Sequence, residues 1–489
     1  MRMRSERHHR PAGDKSSIAA TESHSLLLHE EHGLPEKPAE LMWRDYLIML
    51  LHIGAELEQS LMVQYLYAAY SLGGVESRKH EAKVREWRAA ILGVAKEEMG
   101  HLLTVQNVLC LLGGPISFER EDYPWDTPYY PFKFCLEPLT LTSLAKYVFA
   151  EMPPDIRANE GEDGKTAREA MELLEIVPGH PVGEIYDQII DIISDPSRIP
   201  DADFNSDSYG VQASFDDWGR NYRPGPLPPH AKSTDPQPRE RETRLIIARM
   251  ATRTEAIAAL RDVAGQGESP RQRNGDKSEP SHFDRFAQVF REMKRIQEDD
   301  PDWSPTRHVP TNPIILDPTR IIAESTHITA EPSRTWASLF NVRYRMLLTY
   351  LTHTYRMTRP TVGEDDGVYG AVIVKIFGEM YNLKTLAGIL VRLPLVKAED
   401  PRRAGPTFQM PYTLTLPNSD IDCWKQARDL VSSSQELIDE LLHPDKDNLA
   451  DAPLDGKKYL TALRDLDLQS IAFIDQMLVG LRPVRRGRR

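Results

Sequence analysis

Apolar residues recur at three- and four-residue steps along most of this chain, a period that predicts helices rather than strands. From Arg85 to Gly114 it reads REWRAAILGVAKEEMGHLLTVQNVLCLLGG, with Ile91, Val94, Val105, Val108 and Leu112 on one face. Glu98 and His101 fall on that same face, between Val94 and Val105. Gly113 and Gly114 end the stretch as glycines beyond a helix C-terminus do. Met42 to Leu72 is a second long helix, with an inner stripe of Leu47, Leu51, Gly54, Glu58, Leu61, Tyr65, Ala68 and Leu72. Glu56 projects about 200° away from Glu58, so Glu58 is the glutamate on the stripe. Gln59 and Gln64 flank it, either supporting a site or facing solvent. The two helices follow one another and are expected to pack antiparallel.

The same pattern continues more faintly. Leu139 to Met152 is a third helix, halted by Pro153 and Pro154, with Leu141, Leu144, Val148 and Glu151 on one face. The aromatic, proline-rich loop before it, 115–138, either roofs a pocket or seals the end of a bundle. Arg253 to Gly265 is a fourth helix with Ile257, Leu260 and Ala264 facing inward, and Glu268 continues that line within QGES. A polar loop follows, and His282 opens SHFDRFAQVFREMKRIQ, anchored by Phe283, Phe286 and Phe290. Residues 155–244 read as a long insertion with little regular structure, apart from a helix at Gly183 to Ile193.

Residues 300–332 read as a proline-rich linker to a second helical unit, 333–489. Its helices are expected at Ser333 to Met357, Val368 to Leu393, Asp422 to Leu442 and Leu454 to Val479. Glu379 and Asn382 there imitate a Glu-x-x-His pair. Asparagine is a poor ligand for iron, however, and the first helix of this unit offers no inner glutamate, so the unit reads as structural. The expected organisation is a basic disordered tail over 1–39, a bundle over 40–299, the linker, and the C-terminal helical domain. The fold class is all-α.

Composition narrows the partners. The net charge of −13 argues against a general nucleic-acid binder, which needs a basic surface. Thirty-seven prolines suit long connections around packed helices. Cys110, Cys135 and Cys423 form neither a disulfide nor a metal-ligand pattern, and a reducing cytoplasm is the expected home. The basic start lacks the apolar core of a secretory signal, and no apolar run suggests a membrane span.

The chemistry lies in the polar residues on apolar stripes. A charged carboxylate is costly in a core unless something pairs with it. A glutamate and a histidine three apart, facing inward, are a device of di-metal helical bundles. The inward set is Glu58, Glu98, His101, Glu151, Glu268 and His282. Without metal, four buried carboxylates would repel and be driven towards protonation. Imidazole with carboxylate suits iron, manganese or zinc. The usual second Glu-x-x-His is absent; Glu268 and His282 are fourteen apart and must be brought together by a turn. Tyr65 lies on the Glu58 side, as either a packed core tyrosine or a donor or relay at the site.

LMVQYLYAAYSL, EEMGHLLTVQNVLCLLGG, FAEMPP, QGES with SHFDRF, and AGPTF together resemble the ferritin-like family that includes the iminophenyl-pyruvate dimer synthase of violacein biosynthesis. The resemblance covers about residues 40 to 410, and EEM-x-H with the following N-x-L-x-x-x-GG is its most specific part. Where that family carries Thr-Ile-Pro-Pro, this chain has Leu61, Met62, Val63 and Gln64. The resemblance implies a ferritin-like four-helix bundle whose metal positions are Glu58, Glu98, His101, Glu151, Glu268 and His282. It implies two iron ions, with manganese or a mixed pair as alternatives. Glu98 and Glu268 would bridge the ions, Glu58 and Glu151 would be terminal, and each ion would take one histidine. The implied activity is dioxygen-dependent oxidation of a small, amino-acid-derived molecule in a biosynthetic pathway, with a second copy or a partner enzyme as expected protein contacts. A ferroxidase, and a metal-free scaffold for another enzyme, are the alternatives.

Overall fold

The computed structural model describes residues 36–74, 76–127, 129–153, 156, 160–176, 183–218, 245–267, 280–315, 324–357, 367–410, 414–443 and 456–481. Residues 1–35 of the expected tail lie outside this set, as does Glu268. Helices α1 (Trp43–Ser71) and α2 (Glu81–Leu111) form the expected antiparallel pair. Their opposite ends are tied. Arg44 at the start of α1 donates to the Leu112 carbonyl, and Arg88 early in α2 donates to the Ala69 carbonyl at 3.3 Å. Every residue of the α1 stripe is buried, Glu58 and Tyr65 included, and Gln59 and Gln64 are buried as well. By length and composition α1 could cross a membrane, contrary to the expectation that no run would qualify; 67% of that apolar window is buried inside the molecule.

The C-terminal half of α2 is enclosed on all sides: residues 97–112 are buried without exception. Its polar side chains therefore need internal partners, and the neighbouring loops supply them. Gln106 bonds both backbone groups of Ser117, at 2.6 and 3.1 Å. Asn107 does the same with Ala213, both at 2.9 Å, and also donates to the Ala248 carbonyl. Gly100 lets the segment after the insertion press against the helix, since a Cβ there would stand 2.7 Å from the Ile246 carbonyl oxygen. At the helix end, Gly113 takes the left-handed conformation (φ +63°).

The insertion is more ordered than expected. It contains α4 (Glu162–Leu174), α5 (Gly183–Ser194) and the single turn α6 (Phe215–Trp218), after the short α3 (Leu141–Ala150). The periodicity of α4 is faint because small residues, Gly164, Ala167 and Ala170, make its buried face. α7 (Arg253–Gly267) runs two residues further than expected, and α8 spans His282–Asp299. The buried stripe of α7 is Ala256, Leu260, Val263 and Gly267, whereas Ile257 and Ala264 are half-buried. Small residues again carried the packing, and the larger side chain misled the reading.

Residues 300–332 are not a free linker. Trp303, Val309, Ile314 and Ile328 are buried, and β1 (Pro313–Ile314) pairs in parallel with β2 (Thr326–His327). The C-terminal unit comprises α9 (Ser333–Thr354), α10 (Gly367–Leu390), α11 (Asp420–Leu441) and α12 (Gly456–Gly480). It shares one continuous apolar core with the first bundle. Tyr355 donates to the Leu103 carbonyl of α2 at 3.1 Å, and Gln59 of α1 donates to the Tyr344 hydroxyl at 3.3 Å. Inside this unit Glu379 meets a guanidinium. Arg343 bonds Glu379 at 2.9 Å and Asp467 at 2.6 Å, while Asn382 donates to the other oxygen of Glu379.

Replacing Gly100 by alanine should force α2 and the Ile246 segment apart, lowering stability by about 1–3 kcal/mol. A urea midpoint equal to that of the parent would contradict the close approach.

Candidate metal centre

Five of the six expected site residues meet at one point, delivered by four helices. Glu58 comes from the middle of α1, and Glu98 and His101 from the middle of α2. Glu151 is the residue at the C-terminal end of α3, a helix whose start is fixed by a reciprocal Thr140–Ser143 cap. His282 is the first residue of α8, placed there by a second reciprocal cap between Ser281 and Asp284. All five are buried. The sixth, Glu268, lies outside the described residues; its neighbour Gly267 lies close enough to Glu151 that a Cβ would stand 3.3 Å from Oε2.

Glu98 spans the two rings. Its Oε2 is 3.1 Å from His101 Nδ1 and its Oε1 is 2.9 Å from His282 Nδ1. The rings are nearly parallel, with centroids 5.3 Å apart and planes 25° from one another. Glu58 Oε2 lies 3.5 Å from His101 Nδ1, and Glu151 Oε2 lies 3.5 Å from His282 Nδ1. Both imidazoles therefore turn Nδ1 inward and Nε2 outward. His101 Nε2 donates to Gln266 Oε1 at 3.0 Å, and His282 Nε2 donates to Glu97 Oε2 at 2.8 Å. Each outer carboxylate is held by a tyrosine: Tyr65 donates to Glu151 Oε1 at 2.5 Å, and Tyr186 of α5 donates to Glu58 Oε1.

Residues 51–291 match the ferritin-like family model. This region, just under half of the chain, is similar to ferritin-like proteins. Over 412 residues, 78% of the chain, it is 25% identical to dichlorochromopyrrolate synthase of Lentzea aerocolonigenes and covers 37% of that protein. A 152-residue stretch, 25% of the chain, is 32% identical to 2-imino-3-(indol-3-yl)propanoate dimerase of Chromobacterium violaceum and covers 15% of it. The chain thus spans well under half the length of either relative, and both are biosynthetic enzymes by name. Among solved structures, a ferritin-like protein from Caulobacter vibrioides aligns at 16% identity and a TM-score of 0.39, covering 72% of this chain and 98% of that one.

The ferritin-like site has the donor set and orientation that a divalent cation needs. One buried atom makes the case directly. His282 Nδ1 has no hydrogen-bond partner, although Glu98 Oε1 is 2.9 Å away, because the ring does not aim at that oxygen. A buried ring nitrogen with its opposite nitrogen anchored on a carboxylate is the arrangement of a metal-binding histidine. Glu98, His101 and His282 each offer an atom within 4.8 Å of the others.

Without metal, protons balance the charge. Burial opposes a charged His101, but Glu98 and Glu58 outweigh it and push the imidazole up to about 10. Burial likewise opposes a charged His282, whose pKa Glu98, Glu151 and Glu97 nonetheless raise well above the usual histidine range. Burial and the Glu98 carboxylate lift Glu58 to about 8. Glu97 is held below the ordinary carboxylate range; burial works against this, and His282 and Arg285 prevail.

Glu97, Gln266, Tyr186 and Arg285 escaped the sequence reading. Glu97 lies off the apolar stripe and was not singled out; stripe membership is a poor guide where a helix is buried all round, as α2 is from residue 97 on. Arg285 stands three residues after His282, on the same face of α8, which was an available signal.

Replacing Glu98 or His101 by alanine should abolish tight metal binding, whereas Asn382→Ala should leave metal content at the parent level, as measured by plasma emission. A large loss in the Asn382 variant would move the site to the other bundle. Metal affinity should also depend on pH. Below about 8 (Glu58) the metal-free site carries protons on Glu58, His101 and His282, facing Glu97, Glu98, Glu151 and Arg285. Coordination must displace them. Affinity should therefore rise from pH 7 towards 10, and calorimetry in buffers of different ionisation enthalpy should register proton release; pH-independent binding would contradict this.

Proposed function

We propose that this protein is a non-haem di-iron oxidoreductase that uses dioxygen to oxidise a small, amino-acid-derived molecule in a biosynthetic pathway. The observation that carries the reading is the pair of matched half-sites. Glu58 with His101 and Glu151 with His282 stand on either side of Glu98, which offers one oxygen to each ring. Two ferrous ions fit this donor set, with manganese or a mixed pair as alternatives. In this reading Glu58, Glu98, Glu151, His101 and His282 would hold the ions, with Glu268 as the expected further ligand. When bound, the metals supply the electrons that reduce dioxygen.

The chain's own contribution is orientation, dryness and proton control. Gln266 and Glu97 fix the ring tautomers so that Nδ1 is free to coordinate. Tyr65 and Tyr186 each occupy one oxygen of a terminal carboxylate, leaving the other for metal. Burial and the Glu151 carboxylate raise the Tyr65 pKa far above its usual range, so its hydroxyl keeps its proton and acts as a donor. We assign Tyr65 this role at the reacting centre. The names of the two relatives, one of them a dimerase of an indole-bearing α-imino acid, support an amino-acid-derived substrate.

The full chain loaded anaerobically with ferrous iron should bind two irons and consume oxygen catalytically only when a small organic substrate is present, with 2-imino-3-(indol-3-yl)propanoate the first to try. Continuous oxygen uptake with ferrous iron alone would instead make it a ferroxidase. A chain that binds no iron would be a scaffold.

A further inference from the structure

We propose that the two halves of the centre fill in order, the His282 half first and the His101 half second, because a buried carboxylate backs one imidazole and a neutral amide backs the other. This rests on the metal-centre reading above. The described parts of the two halves are built from matching pieces. Each has a terminal glutamate held by a tyrosine hydroxyl, a histidine presenting Nδ1, and one oxygen of Glu98. They differ in what receives the proton on Nε2. For His282 it is Glu97, at 2.8 Å; for His101 it is Gln266, at 3.0 Å.

That difference acts on metal affinity in two ways. A carboxylate accepting the ring proton makes the opposite nitrogen a stronger base and a better ligand than an amide oxygen does. It also holds the ring more firmly. Glu97 is fully buried in the middle of α2 and is gripped by both terminal nitrogens of Arg285, at 2.9 and 3.1 Å. Gln266 is half-buried and sits in the last turn of α7, where a helix frays most readily. Losing a partner of this kind costs roughly 10–100-fold in metal affinity, so exchanging a carboxylate for an amide should separate the two ions by up to about tenfold. Glu97 is thus a positioning residue: it touches no metal and selects which half is filled first.

The test is titration of the metal-free full chain with Co²⁺, following visible absorption and calorimetric heat. The parent should show two separate steps. Glu97→Gln should weaken the first step by up to about tenfold and leave the second in place, merging the two. Gln266→Glu should tighten the second step, a gain that damage to the fold cannot imitate. Two equal steps in the parent, or equal weakening of both steps by Glu97→Gln, would overturn ordered filling while leaving the centre intact. No saturable Co²⁺ binding by the parent would overturn the centre itself.

Discussion

Taking carboxylates out of water dictates the layout of the first bundle. A buried anion is tolerated only beside a compensating charge and with its lone pairs engaged. Each of the four described inner glutamates meets both conditions. Glu98 lies between two imidazoles, Glu97 between His282 and Arg285, Glu58 beside His101 and Tyr186, and Glu151 beside His282 and Tyr65. Protons on the two imidazoles balance these carboxylates, and a cation entering the site would have to displace them.

α2 shows what this demands of the surrounding chain. A helix enclosed on every side has no solvent face on which to place polar residues. Gln106, Asn107 and Thr104 therefore bond loop backbone, and Asn107 ties the insertion to the helix through Ala213. The connection gives the insertion a part in the site, since its helix α5 delivers Tyr186 to Glu58. The loops are built into the centre rather than draped over it.

This explains which parts were legible in the sequence. Glu58, Glu98 and Glu151 stood out because an acid on an apolar stripe contradicts its neighbours. His101 followed by its spacing from Glu98, and His282 by its place in the first turn of a helix. Glu97 did not stand out, since the stripe criterion assumes one buried face and the C-terminal half of α2 is buried on every face. α4 and the inner face of α7 were faint because alanine and glycine do the packing there. Residues 300–332 looked like a linker because prolines masked Trp303, Val309 and Ile328 as core residues. Hydrogen bonds between distant segments, such as Tyr186 to Glu58 across 128 positions, leave no local trace.

The two bundles solve one electrostatic problem by different means. In the C-terminal unit the positive charge facing Glu379 and Asp467 is the guanidinium of Arg343, which is covalently part of the chain and always present. In the first bundle it is carried by protons on His101 and His282, which exchange with the surroundings. As pH rises, the C-terminal half keeps its internal counter-charge unchanged, while the other half gives its own up. One polypeptide thus joins a half indifferent to acidity to a half that registers it, through a shared apolar core.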